Sequence, residues 1–317
     1  MAGQASFAKA KSAKNDEFYT RLSDIELELS HYESAFAGKS VLCNCDDPSS
    51  SKFWEYFHKN FTKLGIRKLV AVHYTPDSIS YQMIYCGGKD ENIKSGIRVD
   101  LKGDGDFRSE ECVAIMDDAD IVVTNPPFSL FVEYVELLYS HDKDFIIVGN
   151  QANACYKSIF ELFRQNKIAI GYNKIRSFEQ PDGTVKKFGN ICWFTNLNVS
   201  KADITLSLVK AYDPDAYPKY DNYDAINIDK VADIPCDYYD VMGVPITYLE
   251  KHDPTRFEII GRAENADLYK LKTKVYTYKE CADQYFKLFG KKGSYDMNSS
   301  GVVNGVKKYE RMFIRRK

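Results

Sequence analysis

Thr124, Asn125, Pro126, Pro127 and Phe128 follow the apolar run Ile121, Val122 and Val123, and an amphipathic stretch over 129–139 comes next. This pattern predicts a buried strand, a rigid loop and a helix. Ligands of open α/β sheets bind at the carboxyl ends of strands. An Asn there, stiffened by two prolines and followed by an aromatic ring, suits the gripping of a planar amine. The Asn125 side-chain oxygen can accept one N–H and the Pro126 carbonyl the other. Acceptors placed off the ring plane favour a pyramidal nitrogen whose lone pair meets an electrophile. The prolines fix φ and remove donors, so the carbonyl geometry is pre-organised. Phe128 can stack on the face of the base, as a base taken out of its helix requires. The plainer reading is an Asn-Pro turn capping a helix after a core strand.

Two other segments have the makings of a cofactor cradle. The run CNCDDP over 43–48 is a loop between an apolar strand and a helix, without the usual G-x-G. Its Asp46 and Asp47 either face a cofactor or cap the following helix. The run GDGDFRS over 103–109 has glycines that permit unusual backbone angles. There Asp106 can accept an amino hydrogen of an adenine, with Phe107 against the ring. An ordinary Asp-Gly turn is the alternative, and the ligand positions of a calcium loop are missing.

Positioning these residues requires alternating elements. Apolar spacing predicts helices over 16–36, 51–64, 130–139 and 156–164, and strands over 40–43, 69–73, 121–123, 145–148 and 191–195. A further strand pair, 81–85 with 97–101, surrounds the Gly87-Gly88 turn. Such alternation predicts an α/β fold with a largely parallel, doubly wound sheet and helices on both faces.

The chain has 317 residues, 44% of them hydrophobic and 28% charged, which suits a packed globular protein of about two domains. No apolar run approaches the roughly 20 residues of a membrane span, and residues 1–15 lack the apolar core of a secretion signal. The eight cysteines are scattered with no C-x-x-C pair, so no metal site is expected, and reduced thiols in a cytoplasm fit best. None of the five histidines stands in a metal or triad spacing.

The net charge of −2 carries no hint of nucleic acid, but its distribution does. From Tyr285 onward Lys287, Lys291, Lys292, Lys307, Lys308, Arg311, Arg315, Arg316 and Lys317 outnumber Asp296 and Glu310, and aromatic residues are interleaved. A local positive field of this kind can contact phosphates; a solvated basic tail is the alternative. The stretch 213–253 is acidic and is expected to pack inward or read bases.

Taken together, DEFYT at 16–20, CNCDDP, GDGDFRS, DIVVTNPPFSLF at 120–131, CWFTNL at 192–197, YPKYDNYDAIN at 217–227 and VMGVPIT at 241–247 resemble the EcoRI methylase family of DNA adenine-N6 methyltransferases along nearly the whole chain. The resemblance implies a Rossmann-like class I methyltransferase sheet over 16–200, a flexible arm over 1–15 and a C-terminal target-recognition region over 201–317. It implies S-adenosylmethionine as cofactor, held by Phe18, Tyr19, Thr20, Asn44, Cys45, Asp46, Asp47, Asp106, Phe107 and Asn125. It implies catalysis by Asn125, Pro126, Pro127 and Phe128 on an adenine flipped out of double-stranded DNA. Phe188 or Trp193 would form a second aromatic wall for the base, and Lys291, Lys292, Lys307 and Lys308 would meet DNA. At the end of the second strand, His73 and Tyr74 replace the usual acidic ribose ligand. A monomer acting on the same site as a cognate restriction endonuclease is the expected setting. An RNA adenine methyltransferase, a protein-glutamine methyltransferase and a catalytically inactive DNA-binding homologue remain as alternatives.

Overall fold

The computed structural model describes residues 19–45, 47–76, 78–88, 95–180, 183–199, 206–264 and 270–317. The expected arm over 1–15, Phe18 and Asp46 lie outside them. The chain forms two compact units, one of residues 1–159 with 168–199, the other of 160–167 with 200–317.

The first unit is built on an eight-stranded sheet. Its strands are β1 (Ser40–Cys43), β2 (Lys68–His73), β3 (Tyr81–Tyr85), β4 (Ile97–Asp100), β5 (Ile121–Thr124), β6 (Asp144–Asn150), β7 (Ala169–Glu179) and β8 (Val185–Thr195), in the order β4-β3-β2-β1-β5-β6-β8-β7. Strands β2, β1, β5 and β6 run parallel. The flanking pairs are antiparallel, which corrects the expectation of a largely parallel sheet. The connections from β2 to β3 and from β7 to β8 are too short to carry a crossover, so these strands return as hairpins.

Both faces of the central strands are buried, as the continuous apolar runs require. On one face Val41, Cys43, Ile121, Val123, Ile146 and Val148 join Ile25, Leu29, Phe36, Phe53, Trp54 and Phe57 in one core. Those partners come from α1 (Leu22–Leu29), the 3₁₀ helix Ser30–Phe36 and α2 (Lys52–Lys59). Ser51 caps α2, its side chain accepting from the Trp54 N–H at 3.2 Å, so Asp47 is not that helix's cap. Asn60 separates α2 from the short α3 (Phe61–Leu64), where one helix was expected. On the other face α5 (Phe131–Ser140) lays Phe131 against Phe194, ring centroids 4.8 Å apart. Only a glycine at 149 leaves room for that ring. Earlier in the chain than α5, α4 (Glu110–Asp117) starts from a Ser109 cap.

The second unit includes a four-stranded sheet of β9 (Ile226–Asn227), β10 (Met242–Pro245), β11 (Phe257–Arg262) and β14 (Arg311–Arg316), in the order β11-β14-β10-β9. Tyr220 and Tyr223 are buried here beside Phe313, and glycines at 243 and 301 make room for the Tyr220 ring. Helix α6 (Lys157–Arg164) leads into this unit. Helix α7 (Tyr278–Phe289) follows a capping box of Thr277 and Glu280, and the short ribbon β12 (Val302–Val303) with β13 (Val306–Lys307) precedes β14.

Candidate active site

The order of strands reverses at β1: β2 follows it on one side and β5 lies on the other, all three parallel. Loops leaving the carboxyl ends of β1 and β5 therefore diverge to opposite faces and leave a crevice, the usual ligand site of open α/β sheets. Asn44 and Cys45 follow β1; Asn125 to Phe128 follow β5.

Three motifs far apart in the chain meet beside this crevice. Asn44 is buried, and its side-chain oxygen accepts the Tyr134 hydroxyl from α5. The Cys45 Sγ is 3.7 Å from the same oxygen. Phe107 packs against Tyr134 at 4.9 Å with rings at 84°. Burial holds the Tyr134 hydroxyl protonated, its pKa well above that of an ordinary tyrosine. Among the described residues the buried Asn44 Nδ2 has no hydrogen-bond partner, which leaves a donor for a ligand.

Asp47 sits farther along the same loop. Its carboxylate accepts from the Ser49 N–H and the Tyr81 hydroxyl, each at 2.9 Å, and lies 3.8 Å from His73 Nε2. Burial alone would raise its pKa; the hydrogen bonds from Ser49 and Tyr81 and the neighbouring His73 hold it below the usual carboxylate range. His73 thus stands at the end of β2 beside Asp47, whereas Tyr74 is exposed. The 103–107 loop crosses this strand end: the Thr75 N–H donates to the Asp104 carbonyl at 2.9 Å. Gly105 makes that crossing possible. Its φ of +82° is left-handed, and a Cβ there would collide with the His73 carbonyl. Asp106 lies on this loop with both carboxylate oxygens engaged by Arg108, at 2.9 and 2.6 Å. The hydrogen bonds from Arg108 lower its pKa.

In the β5 loop Pro126 is buried and Pro127 exposed. The Pro127 carbonyl accepts from the Leu130 N–H at 2.9 Å and starts the 3₁₀ turn Phe128–Leu130, which runs into α5. The side-chain oxygen of Asn125 is buried. Phe128 meets Phe178 edge-on at 6.0 Å, and Phe178 meets Phe188 edge-on at 5.4 Å. The N-terminal motif joins the same row. Tyr19 exchanges backbone hydrogen bonds of 2.9 and 3.0 Å with Glu179, the neighbour of Phe178. Thr20 is buried, and its hydroxyl has no hydrogen-bond partner among the described residues.

Other expected residues stand elsewhere. Trp193 is fully buried with its edge to Phe53 at 6.0 Å, so it is a core residue and not a wall for a base. Lys307 donates to Ser299 at 2.8 Å and lies over the Tyr295 ring. Lys308 and Arg311 pair with Asp229, and Arg315 with Glu258. The end of the chain is therefore a paired sheet strand and not a basic tail. Lys291 and Lys292 are exposed. Among the described residues no group of three His, Cys, Asp or Glu side chains could hold a metal ion, and no helix is long and apolar enough to cross a membrane.

Tyr134 was missing from the expected site, although it fell on the apolar stripe predicted for 129–139; a stripe residue reads as core until its hydroxyl finds a partner. Phe178 is hidden in the same way, by full burial in β7.

The chain matches the family of adenine-specific methyltransferases typified by EcoRI over residues 6–317. It is 42% identical over 291 residues to the type II methyltransferase M.EcoRI of Escherichia coli, covering 82% of this chain and 89% of that protein. It is 39% identical over 300 residues to the type II methyltransferase M.MpnI of Mycoplasma pneumoniae, covering 87% and 92%. No solved structure matches.

Proposed function

The chain belongs to the EcoRI family of adenine-specific methyltransferases, and from this premise we propose that it methylates N6 of adenine in double-stranded DNA with S-adenosylmethionine as donor, on a Rossmann-like class I methyltransferase unit. The observation that carries the reading is the junction of Asn44, Phe107 and Tyr134 beside the Asn125 loop, at the point where the strand order reverses.

The residues at the ends of β1 and β2 fit the cofactor. The unsatisfied buried Asn44 amide supplies a donor for a polar group of the methionine part. Asp47 and His73 line the position where a ribose hydroxyl would be held, in place of a lone acidic ligand. Phe107 and Asp106 lie on the loop expected at the adenine ring; Asp106 would share its carboxylate between Arg108 and the amino group. Tyr19, Thr20 and Cys45 complete the expected set, Thr20 through its unsatisfied hydroxyl. When bound, the cofactor supplies a methyl group on a sulfonium, an electrophile that needs no further activation.

Asn125 and the Pro126 carbonyl orient the target amine. Each accepts one N–H, which directs the nitrogen lone pair at the methyl carbon. With the donor bound, N6 would take the methyl group as its bond to sulfur is given up, and the extra proton of N6 would leave to solvent. Phe128 stacks on the extruded base, with Phe188 at the far end of the aromatic row. The C-terminal unit carries target recognition, with Lys291 and Lys292 toward DNA phosphates.

The test is transfer of labelled methyl to mixed-sequence duplex DNA and, separately, to RNA, with the product nucleoside identified by mass spectrometry. N6-methyladenine in DNA is expected. Transfer to RNA alone, or to neither with cofactor bound, would overturn the DNA assignment.

A further inference from the structure

The β7–β8 hairpin is irregular in two places, and both irregularities serve one cleft. Pairing runs from Ile170 with Phe194 to Lys174 with Cys192, so residues 171–173 stand opposite Trp193 alone. It then runs from Ile175 with Ile191 to Ser177 with Lys187, so residues 188–190 stand opposite Arg176 alone. Such bulges bend a strand and re-aim its side chains. The first is held by Glu28, whose buried carboxylate accepts the Tyr172 and Asn173 N–H groups at 2.9 and 2.7 Å. The second is tied to the end of β6, where Asn190 donates to the Asn150 side chain at 2.7 Å.

Between the bulges lies a cleft of about 430 Å³ whose lining includes Lys174, Arg176, Lys187, Phe188 and Gly189 and, among the described residues, no carboxylate. The side chains of Arg176 and Lys187 are exposed and have no ion-pair or hydrogen-bond partner among the described residues. A Cβ on Gly189 would meet nothing, so its backbone is open to a ligand. Arg176 and Lys187, a guanidinium and an ammonium in a concave site without counter-charges among the described residues, attract an anion and suit a phosphate. Phe188 connects the cleft to the catalytic loop through Phe178 and Phe128.

We infer that this cleft binds a phosphodiester of the DNA strand that carries the target adenine, next to the extruded nucleotide. The inference rests on the DNA methyltransferase reading above. Arg176 and Lys187 hold the phosphate, and Phe188 separates it from the base pocket. Contacts of this kind fix register on the strand and carry no sequence information.

The test uses the whole protein and its double variant Arg176→Ala/Lys187→Ala. Both side chains are exposed, so thermal stability should be unchanged. Binding of fluorescein-labelled mixed-sequence duplex DNA is titrated between 50 and 200 mM salt. The variant is expected to lower the slope of log Kd against log salt by about 1–2. A second duplex, carrying the site mapped from the enzyme's own product, replaces a phosphate flanking the target adenine with a neutral methylphosphonate. That replacement should weaken wild-type binding about tenfold and the double variant by less than twofold, because both changes remove the same contact. An unchanged slope, or effects that simply add, would overturn the cleft assignment, as would wild type that binds no duplex DNA. Wild type that binds duplex DNA with a slope the double variant lowers, but that makes no N6-methyladenine, would overturn the methyltransferase reading and with it the placement beside a target adenine, leaving a phosphate site alone.

Discussion

Tyr134 and Asn44 are 90 residues apart in the chain, yet the hydroxyl of one is bonded to the amide oxygen of the other in a fully buried setting. The contact ties the helix that follows the Asn125 loop to the loop that follows β1. Under the proposed function, the part that orients the amine and the part that holds the cofactor are thereby fixed as one body.

Tyr134→Phe tests that connection. Removing the hydroxyl leaves the Asn44 oxygen without its donor from α5, at a cost of about 1–3 kcal/mol in stability. Asn44 is then free to rotate, and affinity for S-adenosylmethionine should fall about tenfold by calorimetry. Unchanged affinity with lowered stability would make the contact a core bond without bearing on the cofactor.

Gly105→Ala should damage the same site from the β2 side. The left-handed φ and the His73 carbonyl both oppose a Cβ, so strain of about 1–3 kcal/mol is expected. The loop carrying Asp106 and Phe107 would lift from β2. Cofactor affinity should drop more than DNA affinity, which separate calorimetric and fluorescence titrations can read.

Phe128→Ala removes the proposed stacking face. Base–aromatic stacking is worth about 1–3 kcal/mol, so single-turnover methylation should slow by about 10- to 100-fold with cofactor affinity intact. A variant that merely loses its packing on Phe178 would show a lower Tm and an unchanged rate.

Glu28 makes stability depend on pH. Its burial raises the carboxyl pKa more than the N–H groups of Tyr172 and Asn173, the Asn173 side chain and the Tyr32 hydroxyl lower it. The folded protein therefore binds this proton more tightly than the unfolded chain. The contribution is fully present below the ordinary glutamate pKa and is lost as pH rises through the raised value. Glu28→Gln should flatten that part of the stability–pH curve. It should also lower stability at neutral pH by about 3 kcal/mol, because an amide nitrogen would then face backbone donors. Urea unfolding of both proteins from pH 4 to 8 measures each effect.

Much of the site was legible in the sequence because its residues follow short apolar strands. Ile121 to Val123 and Val41 to Cys43 read as strands from their apolar runs, and the loops after them hold Asn125 and Asn44. The hairpin was harder to read. Residues 171–173 and 188–190 break the period of two, and the partner that stabilises the first break, Glu28, lies on a helix far away in the chain. Trp193 was misplaced because a large aromatic residue in a strand reads alike whether it faces a ligand or a core. The basic C-terminus misled for a similar reason: Asp229 and Glu258, which neutralise Lys308, Arg311 and Arg315, are about 50 to 80 residues away in sequence. Helix α7 is absent from the expected elements, although Thr277 and Glu280 stand at a capping-box spacing before it.

The most direct test of the account is the single-turnover methylation rate of Asn125→Ala beside wild type, with DNA and S-adenosylmethionine saturating and cofactor affinity measured by calorimetry. The account predicts a loss of at least 100-fold in the rate of N6-methyladenine formation, about 2.7 kcal/mol of lost transition-state stabilisation, with cofactor affinity changed by less than tenfold. A variant that still methylates N6 at close to the wild-type rate would contradict it.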